Sequence, residues 1–139
     1  LNNVDLEWIA EIHPQLRVLN ISNCQQITDI SGLKTLSSLE AIWLDDLRLM
    51  EIASTVDTLR CLKGLQMLQM GLPRGVLTAD YAAIFKTLLA QTKRAAVWPH
   101  LMELDIAGVQ APTGSRVDFI AMIKRLVKRL PKLKAINLM

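Results

Sequence analysis

With 139 residues, 51% of them hydrophobic and 21% charged, the chain has the size and composition of one globular domain with a sizeable core. No apolar run approaches the ~18 to 20 residues needed to cross a bilayer and no secretory signal is visible, which sets membrane-spanning classes aside. The formal net charge of +3 is uneven: Arg116, Lys124, Arg125, Lys128, Arg129, Lys132 and Lys134 face only Asp118 beyond residue 115, so a mildly acidic body carries a basic end.

In chain order, Val4 to Ile12 reads as a helix with Asp5 near its start. Next comes the segment Leu16-x-x-Leu19-x-Ile21, a short strand with alternating faces. Ile27, Ile30, Leu33, Leu36 and Leu39 then fall every third residue, a spacing that predicts tight turns and short 3₁₀ pieces. The strand pattern returns as Leu39-x-x-Ile42-x-Leu44. A crossover too short for a full helix follows, read as a short helix, with Leu59, Leu62 and Leu65 again at every third position. Leu65-x-x-Leu68-x-Met70 is the third strand.

A helix is predicted from about Ala79 to Arg94, with Thr78 as N-cap, Asp80 in its first turn, and Lys93 and Arg94 in its last. Its inward face is Tyr81, Ile84, Phe85, Leu88 and Leu89. The fourth strand is Leu101-x-x-Leu104-x-Ile106. A last helix, about Arg116 to Leu130, has a Ser115/Asp118 capping signal and a stripe of Val117, Ile120, Ile123, Leu126, Val127 and Leu130. Leu133-x-x-Ile136-x-Leu138 closes the series.

The five copies begin at residues 16, 39, 65, 101 and 133. Pro14, Pro99 and Pro131 stand two residues ahead of three of them, where proline disfavours helix in the preceding residue and leads the chain into the strand. Strands alternating with helices also occur in doubly wound sheets. The repeated strand motif, the short crossovers and the lack of a glycine-rich phosphate loop argue against that arrangement.

This pattern resembles the leucine-rich repeat family. The resemblance implies an α/β leucine-rich repeat solenoid over residues 1–139, with parallel β-strands on a concave face and helices and 3₁₀ turns on a convex one. The abrupt ends and the lack of an initiator Met suggest a fragment of a larger protein, with the rest of that protein or a second chain covering the end layers. The stretch Leu16-Arg17-Val18-Leu19-Asn20-Ile21-Ser22-Asn23-Cys24-Gln25-Gln26-Ile27-Thr28-Asp29 is similar to the cysteine-containing subtype found in substrate receptors of cullin-RING ubiquitin ligases, F-box proteins among them. The matching positions in the next three units are Leu47, Pro73 and Val109. Leu104-Asp105-Ile106-Ala107-Gly108 resembles strands of another group of such receptors; no F-box or cullin-box is seen. The resemblance implies a non-catalytic interaction scaffold that binds a protein partner, as the substrate-recognition part of a ubiquitin ligase adaptor.

If the leucine positions point inward, the residues between them point outward. The middle outward column is Asn20, Trp43, Gln69, Asp105, Asn137, and the one before it is Val18, Ala41, Met67, Glu103, Ala135. The column after is Ser22, Asp45, Gly71, Ala107, Met139. Asn20, Trp43, Asp45, Met67, Gln69, Glu103 and Asp105 are the candidate binding residues. Trp43 is the candidate anchor, because interface hot spots are enriched in Trp; packing against its own neighbours is the alternative. Met67 lies near enough to adapt to a partner. Asp45, Glu103 and Asp105 favour a ligand with basic and apolar residues.

The rival site is the stripe Lys124, Arg125, Lys128 and Arg129, which suits phosphates in a nucleic acid or ribonucleoprotein. Cations near a helix C-terminus also suit the helix dipole, and no aromatic residues interleave with them to stack bases. Nucleophile-elbow, phosphate-loop and zinc-protease motifs are missing, His13 and His100 sit in predicted loops, and no metal or cofactor is expected. Cys24 and Cys61 read as reduced, largely buried thiols of a cytoplasmic or nuclear protein, with one long-range disulfide as the alternative.

Overall fold

The computed structural model describes residues 1–47, 50–71, 81–92, 98–107 and 116–138. Its elements run α1 (Asn3–Ile12), β1 (Val18–Asn20), a 3₁₀ turn (Ser31–Leu33), β2 (Ala41–Trp43), α2 (Ile52–Cys61), β3 (Met67–Gln69), α3 (Tyr81–Thr92), β4 (Glu103–Asp105), α4 (Arg116–Val127) and β5 (Ala135–Asn137). The strands form one open, all-parallel sheet in chain order. The helical segments lie beside their chain neighbours: α1 against the 3₁₀ turn, that turn against α2, α2 against α3, and α3 against α4.

Each strand is entered through the same turn. The N–H groups of Leu16, Leu39, Leu65, Leu101 and Leu133 donate to the carbonyls of His13, Leu36, Leu62, Trp98 and Leu130. Pro14, Pro99 and Pro131 therefore occupy the second position of a four-residue turn, where the fixed φ of proline is an advantage. Their value lies in the turn itself as well as in the residue before it.

Register is constant across the sheet. Val18 pairs with Ala41, Ala41 with Met67, Met67 with Glu103 and Glu103 with Ala135. Before each strand a single carbonyl accepts two N–H groups of the next unit. Arg17 O takes Glu40 and Ala41, Glu40 O takes Gln66 and Met67, Gln66 O takes Met102 and Glu103, and Met102 O takes Lys134 and Ala135. A slip of one residue would break these pairs and turn the inner side chains outward.

The core lies between sheet and helices. Leu39, Ile42 and Leu44, Leu65, Leu68 and Met70, and Leu101, Leu104 and Ile106 are all buried. The first and last units are less covered: Leu16, Leu19, Leu133 and Ile136 are half-buried, and Leu138 is exposed. Trp98, absent from the expected core, is fully buried, and its indole N–H donates to Leu59 O at 2.9 Å. That bond meets the polar requirement of a buried Trp and ties the turn before β4 to α2.

The second crossover, expected to hold a short helix, carries a ten-residue α-helix, α2. Thr55, Val56 and Thr58 lower its helix propensity. The Glu51 carboxylate caps it by accepting from Ala53 and Ser54 N–H, and the buried Thr55 and Thr58 hydroxyls donate back to Glu51 O and Ser54 O. Only then do the turns through Leu62 and Leu65 begin.

On α4, Ile123 and Leu126 are buried, as is Leu130 just beyond it, but Ile120 and Val127 are exposed. Helical spacing puts both on the flank opposite Arg129, whose guanidinium bonds Leu89 O of α3. On α3, Phe85, Leu88 and Leu89 are buried as expected. Thr78, Asp80, Lys93, Arg94, Ser115 and Pro73, Val109 and Met139, with the side chains of Tyr81, Ile84, Val117 and Asp118, lie outside the described residues. Both cysteines are free thiols, but Cys61 is exposed at the end of α2 and Cys24 is half-buried in the turn after β1.

The first units are also laced by side chains. Asn2 caps α1, with Asp5 reciprocating to the Asn2 N–H. Asn3 Oδ1 accepts from the N–H groups of Thr28 and Asp29, and the Asp29 carboxylate accepts from Ser31 N–H, Ser31 Oγ and Ser54 Oγ at 2.8, 3.0 and 2.5 Å. Partial burial is the largest single influence on Asp29 and acts to raise its pKa; the bonds from Ser54 and Ser31, with Lys34 nearby, together outweigh it and hold the carboxyl below its ordinary value. A depressed folded pKa gives stability that is complete above the unfolded value near ~4 and is lost as pH falls through the folded value. Asp29→Asn is therefore expected to reduce stability at about pH 7 and to lessen the acid-induced loss, as read by urea unfolding at about pH 7 and about pH 3.

Candidate functional site

The sheet has one face against the helices and one open. The strand pleat sends Leu19, Ile42, Leu68, Leu104 and Ile136 inward and leaves their neighbours on the open face. The expected columns are brought together: Asn20, Trp43, Gln69, Asp105 and Asn137 are register partners in sequence, as are Val18, Ala41, Met67, Glu103 and Ala135. Trp43 is half-buried at the end of β2, flanked by Asn20 and Gln69, with Met67 diagonal to it on β3. Its ring is thus both supported by neighbours and partly open to solvent. Met67, Gln69 and Asp105 are half-exposed, and Asn20 and Glu103 are exposed.

A shallow hollow lies across β3, β4 and β5, lined by Met67, Gln69, Glu103, Asp105, Ala135 and Asn137. It places an apolar floor between carboxylates. A second hollow sits where the chain leaves the strands, among Asn23, Asp45, Asp46, Gln69 and Asp105.

The polar residues of this face differ in how free they are. Asn20 Oδ1 accepts from Ser22 N–H, and Asp105 Oδ1 accepts from Ala107 N–H. Asp105 Oδ2 remains on the surface and accepts from Asn137 Nδ2 at 3.2 Å. Asp45 is the most committed. It accepts from Gly71 N–H at 2.5 Å and from Gln69 Nε2, while its own N–H donates to Ser22 Oγ. Asp45, expected to contact a ligand, is first a staple between adjacent strand exits. A Cβ at position 71 would stand 2.9 Å from Asp45 Oδ1 and 3.1 Å from Ala107 O, so this close approach requires glycine.

Asn23 and Asp46, missed in the sequence, shape the same edge. Both have positive φ, 62° and 52°, a conformation that Asn and Asp tolerate best after glycine. The Asn and Asp residues directly after the strand motifs were the available signal. Asp46 Oδ1 is buried without a partner among the described residues.

The rival basic site is partly dispersed. Lys124, Arg125 and Lys128 are exposed. Arg129 leaves the stripe: it is half-buried, and its guanidinium donates to Leu89 O at 2.8 Å, fastening the end of α4 to α3. His13 and His100 occupy the exposed turns before β1 and β4. No helix of the described residues is long and apolar enough to cross a membrane.

No family model matches the chain, and no curated protein matches it.

Asp45→Ala would leave the buried Gly71 N–H without its acceptor and free Gln69. The expected loss of stability is about 1 to 3 kcal/mol, measured by denaturant unfolding. Glu103→Ala, at an exposed position, should change stability by no more than ~0.5 kcal/mol.

Proposed function

We propose that the chain is a leucine-rich repeat solenoid whose open strand face is concave and binds a protein segment without catalysing a reaction. Five copies of one strand motif, one entry turn and one register support the repeat reading. The observation that carries the binding reading is Trp43, half-buried on the open face beside Met67, with Glu103 and Asp105 across the neighbouring strand. A scaffold paired on this pattern holds the contact residues at a spacing of about 4.8 Å between strands, so little ordering is needed on binding. The partner is a protein segment in which apolar residues alternate with Lys or Arg, matching an aromatic–Met surface and nearby carboxylates. Such a module works without a cofactor, in the cytoplasm or nucleus. The Leu16 to Asp29 stretch supports a place in the substrate-recognition part of a ubiquitin ligase adaptor.

The second reading, docking of nucleic acid or ribonucleoprotein through α4, is favoured by the exposed Lys124, Arg125 and Lys128. Arg129 contributes less to it, being tied to Leu89.

A random peptide library selected on the immobilised chain, and on its Trp43→Ala twin, tests the proposal. Peptides rich in Lys or Arg and apolar residues are expected, with affinity at least ~30-fold lower for the twin, the scale of a hot-spot loss of about 2 kcal/mol. Circular dichroism should show the twin folded. Equal binding to both forms would sink the open-face reading. RNA capture that falls steeply with salt and disappears in Lys124→Glu/Lys128→Glu would replace it with the second.

A further inference from the structure

The helix layer carries an apolar row on its outer surface. Leu6 and Ala10 fix the inner side of α1, and one flank meets the next unit: Asn3 bonds Thr28, and Glu7 packs over Gly32. Helical spacing puts Val4, Trp8 and Ile12, four residues apart, on the outer face opposite Leu6 and Ala10. They are 69%, 60% and 47% exposed. A unit paired beside α1, on either side, would meet a flank, so continuing the sheet does not cover this row. The outward positions of the other helices are polar: Asp57 and Arg60 on α2, Lys86 on α3, Lys124 and Arg125 on α4 and Lys128 just beyond it. The row is therefore no requirement of the fold, and an exposed Trp in line with two aliphatic side chains has the composition of an interaction surface.

The borders of the row are acidic. Glu7 and Glu11, one turn apart, run along one side and Asp5 stands on the other. Helix α1 contains no Lys or Arg. Arg17, the first basic residue after it, pairs with Glu40, and Lys34, just past the 3₁₀ turn, acts on Asp29.

We propose that the outer face of α1 docks an amphipathic helix of another protein, one whose apolar ridge is bordered by Lys or Arg. Side chains four residues apart form a ridge, and two such ridges interlock in the commonest mode of helix packing. Trp8 supplies the centre of the contact and Val4 and Ile12 its ends, while cations of the partner reach Glu7 and Glu11 on one border and Asp5 on the other. Charge decides the occupant. Two copies of α1 would set acid against acid, and an anionic membrane surface would be repelled in the same way. The site lies on the helix side of the sheet, away from the open strand face, and does not depend on binding there.

The probe is a designed helical peptide with Leu along one face and Lys at its borders, beside a twin with Glu in place of Lys. Fluorescence anisotropy of the labelled peptides should give binding of the Lys form and at least ~10-fold weaker binding of the Glu form. Trp8→Glu and Val4→Ser/Ile12→Ser should each weaken the Lys form at least ~10-fold, and Trp43→Ala should leave it unchanged. Glu7→Lys/Glu11→Lys should reverse the preference between the two peptides. All the replaced residues of α1 are exposed, and circular dichroism should show every variant folded. No binding of the Lys form, equal binding of both peptides, or binding that survives Trp8→Glu would overturn the proposal. So would a loss in Trp43→Ala, which would move the peptide to the open face. Self-association in sedimentation velocity that Trp8→Glu abolishes would also overturn it, giving the row to a second copy of the chain.

Discussion

A strand of three residues cannot persist on its own, so the sheet depends on how each strand is joined to the next. The joint is the carbonyl that accepts two successive N–H groups, repeated without change at all four interfaces. It fixes where a strand begins relative to its neighbour. The entry turn, closed by the N–H of the first leucine of each motif, then sets the direction of travel. Everything else is subordinate to these two devices. The crossovers range from one 3₁₀ turn to helices of twelve residues, yet the register is the same on both sides of each.

This constraint explains why the open face is ordered although it has no core of its own. Side chains on it inherit their positions from backbone pairing, and a few of them repay the sheet. Asp45 joins two strand exits, Asn20 and Asp105 each satisfy a backbone N–H two residues on, and Arg17 pairs with Glu40 at 2.9 Å between the first two strands. The carboxylates on this face are thus of two kinds. Asp45 is consumed by the scaffold, whereas Glu103 and one oxygen of Asp105 remain directed to the surface. The distinction matters for specificity, because only the second kind has acceptor capacity to offer a ligand.

Much of the sheet was legible because the strand motif is a direct record of its inner face. Leu, Ile and Met recur at positions that the pleat must bury, and the residues between them fall into the same columns in the folded chain. The helix side was read less well, for local reasons. The helix of the second crossover is longer than the short one expected, and its two threonines, weak helix formers, are reconciled with burial by hydroxyl bonds to preceding carbonyls. Ile120 and Val127 fit the helical period, but period alone does not tell which flank meets a neighbour. Arg129 belonged to a basic run by sequence and to a carbonyl of α3 by structure. At the site, Trp43 was recognisable from alternation, while the role of Asp45 required knowing that Gly71 lies beside it. The hydrogen bond across adjacent units has no trace in either segment taken alone.

The three tryptophans occupy three different levels of the molecule: Trp8 exposed on the outer face of α1, Trp43 half-buried on the open face, and Trp98 enclosed with its indole bonded to Leu59. Indole emission shifts to the blue as water is excluded, so the chain carries intrinsic optical reporters of its first helix, its open face and its interior. With single-tryptophan versions, loss of order at one level can be timed separately from the others, and whether the units melt together or one after another becomes a matter of colour.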